Sequence, residues 1–155
     1  MSDERHNSTE LFNFVNEYAS SPDRPHDFYW GLAMMPLFVF GHREKIIELG
    51  NEMMKTVPQL WSARVAYCIH FYVALSYLAL HVENPELGLA DEQMENILKH
   101  KEIVDFARFS CDANYGMWSL LLEALISEAR GDYVSAMQAF EVSLNPRYGN
   151  LGVCS

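Results

Sequence analysis

The chain has 155 residues, of which half are hydrophobic and 13% are aromatic, so it can form one domain with its own core. Twenty-one acidic residues against eleven basic ones give a net charge of −10. That balance repels phosphate backbones and anionic lipid surfaces, which excludes the usual nucleic-acid-binding and membrane-surface proteins. An acidic net charge of this size is also explained by its simplest role, which is to keep a protein soluble.

The first 25 residues predict one short helix between two irregular segments. The opening MSDERHNSTE is polar and mixed in charge, so it does not resemble a secretory signal, and residues 1–7 are expected to be flexible. Ser8 or Thr9 would cap a helix that runs to about Tyr18 and has one apolar face. Residues 20–25, SSPDRP, then break it.

The next two helices are predicted to form a hairpin around Gly41. Residues 26–40 are apolar nearly all round, which indicates a helix buried on most sides and kinked at Pro36. Gly41 ends it, and residues 42–55 form an amphipathic helix with Ile46 on its apolar side.

A long aromatic helix over residues 60–81 is predicted to be the centre of the fold. Arg64, His70 and Ser76 interrupt its apolar run, so a buried helix of a soluble protein is favoured over a membrane span. Residues 84 and 85, Asn-Pro, stop it. Residues 86–90 then form a loop, and Asp91–Ser110 forms the next helix.

The last hairpin gives the clearest pattern in the chain. Residues 111–114 are predicted to be a short connector, after which two helices meet at Gly131. Asp132 caps the second helix, and Ala136 is small where two helices approach closely. Gly41 and Gly131 each follow an apolar helix and precede an amphipathic one, which predicts a degenerate repeat of one helical hairpin. The end of the chain, residues 147–155, is expected to be flexible.

These elements predict an all-α fold and no strand. We expect a single domain over residues 1–155, built of antiparallel helical hairpins in a tetratricopeptide-like, right-handed repeat array of about seven helices. Such arrays are interaction scaffolds and have no chemistry of their own.

Residues 111–144 also resemble part of a known family, the large hybrid sensor histidine kinases of fungi and bacteria. In those proteins a tetratricopeptide-like helical arm follows a protein-kinase-like domain and an AAA-type ATPase region, and it precedes a GAF domain and the histidine kinase. The matching residues are Cys111, Asn114, Tyr115, Leu121, Leu122, Glu123, Ala124, Gly131, Ala136 and Met137.

Two further stretches, residues 38–49 and 71–80, are similar to the arm's glycine-turn hairpin and long aromatic helix, so the resemblance spans about residues 28–144. It implies a piece of such an arm, with a parent chain that would be a histidine kinase. No part of the sequence resembles the kinase, ATPase, GAF or phosphoacceptor domains, and the family's arm usually continues past the last hairpin.

No motif for catalysis, a metal or a cofactor is present in the sequence. The six histidines contain no HExxH and no pair at helical i, i+4 spacing. Cys68 is expected to be an inert buried thiol, while Cys111, at a helix end, is expected to be more exposed. An odd number of cysteines with no CxxC predicts reduced thiols and a cytoplasmic protein.

The predicted function is therefore a non-catalytic protein-interaction module, part of a sensor histidine kinase signalling protein. Its partners would be neighbouring kinase domains or a signalling protein, or a second copy bound through the last helix as a homodimer, but not nucleic acid or membrane. The alternative is a small-molecule sensing pocket formed by the aromatic helices. The candidate interaction surface consists of Trp30, Trp61, Tyr115, Trp118, Tyr133 and Phe140.

Overall fold

The computed structural model of the protein describes residues 23–56 and 64–144, together with the single helical position Asn13. Most of these residues are helical and none is in a strand, which confirms the all-α prediction. The six helices are α1 (Asp23–Val39), α2 (Arg43–Met53), α3 (Arg64–Glu83), α4 (Asp91–Ser110), α5 (Asp112–Ala129) and α6 (Tyr133–Ser143). Apart from Asn13, the predicted helix over residues 8–18 lies outside the described residues, as do both predicted flexible ends, 1–7 and 147–155.

The two glycine turns predicted from the sequence have the same backbone structure. Gly41 and Gly131 have φ angles of 82° and 77°, the left-handed region that glycine adopts without strain. In both turns the glycine N–H donates to the carbonyl three residues back, and the N–H of the following residue, His42 or Asp132, donates to the carbonyl five residues back at 2.9 Å. This pair of hydrogen bonds ends α1 and α5 in the Schellman motif.

The helices after these turns also keep the same register. Both α2 and α6 begin two residues after their glycine and contain 11 residues. Three equivalent positions are buried in each: Ile46, Leu49 and Met53 in α2, and Ala136, Ala139 and Ser143 in α6. The two hairpins therefore share their backbone turn and their buried positions, while the side chains at those positions are large in α2 and small in α6.

The centre of the fold is α3. It contacts α1, α2, α4 and α5, and ten of its residues are buried. Its length and composition alone would allow it to cross a membrane, but half of its most apolar window is buried against the other helices, as expected for the core helix of a soluble protein. The predicted central position is thus confirmed.

Aromatic rings join α3 to α5. The rings of Phe71 and Trp118 stack with centroids 4.8 Å apart, and those of Tyr67 and Tyr115 meet edge to face at 5.0 Å. Tyr115 also contacts Trp118 at 5.7 Å. Offset-stacked and edge-to-face pairs add to the free energy of burial, so these side chains stabilise the core.

Two local predictions need correction. The connector over residues 111–114 is shorter than predicted, because α5 begins at Asp112 and its N-cap position is Cys111. The loop over residues 86–90 begins with a turn of 3₁₀-helix, Pro85–Leu87. Pro36 lies inside α1, as the sequence predicts, and the helix ends at Val39; the kink at Pro36 stays a prediction.

Two glycines let helices approach α3 closely. A methyl group added at Gly50 of α2 would overlap Cγ2 of Val73, and one added at Gly31 of α1 would overlap Cγ2 of Val65. Valine is stiff about χ1, so these methyl groups cannot swing away in a helix. Both contacts therefore require hydrogen in place of a side chain.

We expect Gly50→Ala to lower the free energy of unfolding by about 1–3 kcal/mol through overpacking. The same substitution at an exposed helical position would raise it by roughly 1 kcal/mol, so the sign of the change identifies the contact. A Val73→Ala background is the matched control, because it removes the methyl group that would be struck. Urea unfolding of the four proteins measures the coupling, and an equal loss in both backgrounds would contradict the assignment.

Candidate functional site

The structure places the predicted interaction residues in different environments. Tyr115 is only 7% exposed and belongs to the aromatic core, while Trp30, Trp118 and Phe140 are half-buried. Tyr133 is 70% exposed at the start of α6. Trp61 lies outside the described residues. Of the five described residues, Tyr133 alone is exposed.

A larger exposed apolar face lies on α1. Its residues are Phe28, Leu32, Met35 and Val39, followed by the exposed Phe40, and Leu32 and Val39 are each 69% exposed. The first four are separated by four, three and four positions, which puts them on one side of a helix. We call these four residues the α1 face.

The α1 face is also uncharged. Residues 28–41 contain no acidic or basic side chain, although the chain carries a net charge of −10. Gly31 and Met34, on another side of the same helix, are buried against the core. The helix is apolar on two sides, and the remainder of the described protein covers one of them.

A second apolar face lies on α6. Tyr133, Val134, Met137 and Leu144 are all more than three-fifths exposed, as expected from the sequence, and we call them the α6 face. The opposite side of α6 carries the small buried residues Ala136, Ala139 and Ser143, and α5 is the helix against which α6 packs. Apolar residues are thus exposed on the first and the last helices described.

The sequence of α4 contains many apolar residues, but the prediction made from it does not separate the buried ones from the exposed ones. The buried face consists of Ile97, His100, Val104 and Ala107, with a histidine in an otherwise apolar row. Phe106 and Phe109 point outward instead, and Phe109 is 92% exposed. The four buried residues are three, four and three positions apart, the spacing of one face of a helix. This spacing would have distinguished the buried from the exposed residues of α4 in the sequence.

Three half-open grooves cross the described surface, with volumes of about 520, 600 and 230 Å³. The first lies between α2, the end of α3 and the loop before α4. The second lies between α4 and α5, and the third lies beside Tyr133. Tryptophan lines none of them. The rings that would form an aromatic sensing pocket instead fill the space between α3 and α5 by stacking on one another.

A buried pair of histidines connects α3 to α4. The Nδ1 atoms of His70 and His100 are 2.8 Å apart, so one ring donates and the other accepts. Both side chains are at least nine-tenths buried, and this burial lowers the pKa of each from 6.5 to about 4. Repulsion from His70 lowers the pKa of His100 further. His70 is therefore a core histidine whose ring nitrogen is satisfied by a partner 30 positions away, which the sequence does not reveal.

The cysteines meet the predictions only in part. Cys68 is a half-buried free thiol whose pKa is raised by burial, which agrees with the prediction of an inert thiol. Cys111 is buried, not exposed, and it is disulfide-bonded. The expectation of reduced thiols throughout is wrong at Cys111.

Within residues 23–56 and 64–144, no group of three or more His, Cys, Asp or Glu residues is arranged to hold a metal ion. The closest approach to a polar site is a network at the second groove, where the hydroxyl of Ser119 and the ammonium of Lys101 both donate to Asp105 at 2.6 Å. Since the Asp105 carboxylate is already paired with Lys101, it is a poor base for activating Ser119.

No protein-family model, curated protein or solved structure matches the chain. The resemblance to the helical arm of sensor histidine kinases therefore stays a prediction based on the residues quoted above.

The histidine pair predicts a loss of stability in mild acid. The folded pKa values lie below the unfolded value of 6.5, so the unfolded chain binds more protons and stability falls as the pH falls below 6.5. Between pH 7 and pH 5 we expect a loss of about 2 kcal/mol for one histidine and about 4 kcal/mol for both. Urea unfolding across this range measures it.

The double variant His70→Leu/His100→Leu should remove most of this pH dependence, because it replaces both partners of the hydrogen bond with apolar groups. His42→Gln is the control, since His42 is exposed in the turn after α1. A double variant as sensitive to pH as the unaltered protein would show that other groups cause the loss.

Proposed function

We propose that the protein is a non-catalytic helical module that binds other proteins through the apolar faces of α1 and α6. The observation that carries the proposal is the exposure of both faces: the α1 face is uncharged over its whole length, and α1 is about 25 Å long. Contiguous exposed apolar patches of this kind usually mark protein contacts.

The arrangement of helices supports an interaction scaffold of the tetratricopeptide type. The hairpins α1–α2 and α5–α6 share their turn and register, and α3 contacts both α1 and α5. In a stack of helical hairpins, alternate helices contact one another in this way, and the end helices keep one side uncovered. The exposed faces of α1 and α6 are the two sides that such a stack leaves open.

Small-molecule sensing is the alternative, and the grooves favour it less. A ligand pocket usually encloses most of its ligand, whereas all three grooves described are about half open. The tyrosine and tryptophan side chains expected to line such a pocket are largely buried in contacts with one another.

The proposal includes a place in signalling. By its resemblance to the kinase arm, the module would bind neighbouring domains of a sensor histidine kinase or a signalling partner. Binding would change the relative positions of those domains. A cytoplasmic location belongs to the same proposal. The free thiol of Cys68 supports that location, and the disulfide of Cys111 weighs against it.

Association measured by sedimentation tests the role of the two faces. We expect the chain to associate with a second copy, or to retain a partner from a cell extract, and Leu32→Glu or Met137→Glu to abolish this by placing a charge on one face. A specific contact needs about 800 Å² from each partner, so a single charge at its centre should be enough.

Leu98→Glu is the matched control, because Leu98 is a partly exposed residue of α4 outside both faces. Circular dichroism of each variant would check that it remains folded. A chain that stays monomeric at micromolar concentration and retains the same proteins from the extract as both face variants would contradict the proposal.

A further inference from the structure

The groove between α2 and the end of α3 has a chemistry different from that of the two apolar faces. It has a volume of about 520 Å³ and is open on one side. Ile47 and Leu80 contribute aliphatic walls, while Glu44 and Glu48, at i and i+4 on α2, place two carboxylates along one edge. We call this the α2–α3 groove.

The carboxylate of Glu44 is available to a ligand. It is exposed, and no residue in the described part of the chain forms an ion pair with it. Glu48 is bridged to Lys45 at 2.9 Å, but both side chains are largely exposed, so the bridge is weak and exchangeable. Arg43, the other nearby cation, is held by Glu83 at 3.2 Å.

His81 also lines the groove, but its Nδ1 atom is buried out of contact with solvent, so the groove offers that atom to no ligand. The hydroxyl of Tyr77 lies in the same lining and has one long contact, 3.4 Å, from Asn51.

We propose that the α2–α3 groove binds a lysine-containing segment of a partner protein. The aliphatic walls fit the four-carbon stem of a lysine, and the ammonium, which has three donors and no acceptor, fits the exposed Glu44 carboxylate at the edge of the groove. The net charge of −10 would attract a basic partner over a distance and raise its association rate. This inference rests on the proposed function, since it names one partner chemistry for an interaction module.

The test uses three short peptides and the intact chain. The probes are acetyl-Leu-Lys-Leu-amide, its norleucine analogue, which keeps the stem without the charge, and its glutamate analogue. Chemical-shift titration should place the lysine peptide at α2 and the end of α3, with binding at least about tenfold tighter than that of the other two peptides.

Glu44→Gln should weaken the lysine peptide about threefold to tenfold and leave the norleucine peptide unchanged. Glu141→Gln on α6 is the control for loss of one negative charge, because Glu141 is exposed and lies outside the groove.

Equal binding of the lysine and norleucine peptides would overturn the inference, as would equal effects of Glu44→Gln and Glu141→Gln. Shifts spread over the acidic surface without a maximum at the groove would overturn it too. None of these results concerns the α1 and α6 faces, so the groove inference and the proposed function fail separately.

Discussion

The close packing of α3 against four other helices is the constraint on which the rest of the structure depends. Gly31 and Gly50 have no side chain, which allows α1 and α2 to lie against Val65 and Val73 of α3. On its other sides, α3 meets α5 through stacked aromatic rings and α4 through the His70–His100 hydrogen bond. A helix that is apolar nearly all round can be stable in water only if it is covered in this way.

Because the helices pack around α3, α1 and α6 keep part of their apolar surface exposed. α3 is surrounded, but α6 packs against α5 on its small-residue side and keeps its large apolar residues outside. α1 similarly buries Gly31 and Met34 and exposes Leu32 and Met35. The surfaces proposed for binding therefore lie on the first and the last of the six helices described.

The sequence predicts the helices better than it predicts the surface. The two glycine turns follow directly from their turn residues, because those signals are local, and the predicted bounds of α4 match the structure. The exposed face of α1 could not be predicted, since a helix that is apolar on two sides gives no periodic signal for the side that will be covered. The His70–His100 pair was missed for another reason, because it joins two helices and depends on their relative register.

The central claim, that the fold depends on the burial of α3, is tested most directly by native-state amide hydrogen exchange. Amides in a helix covered on all sides exchange only when the whole protein unfolds, whereas end helices open locally at lower free energy. The account predicts that α3 amides around Val73 have the highest protection, equal to the free energy of global unfolding, and that α1 and α6 exchange faster. Protection in α3 equal to or below that in α6 would contradict it.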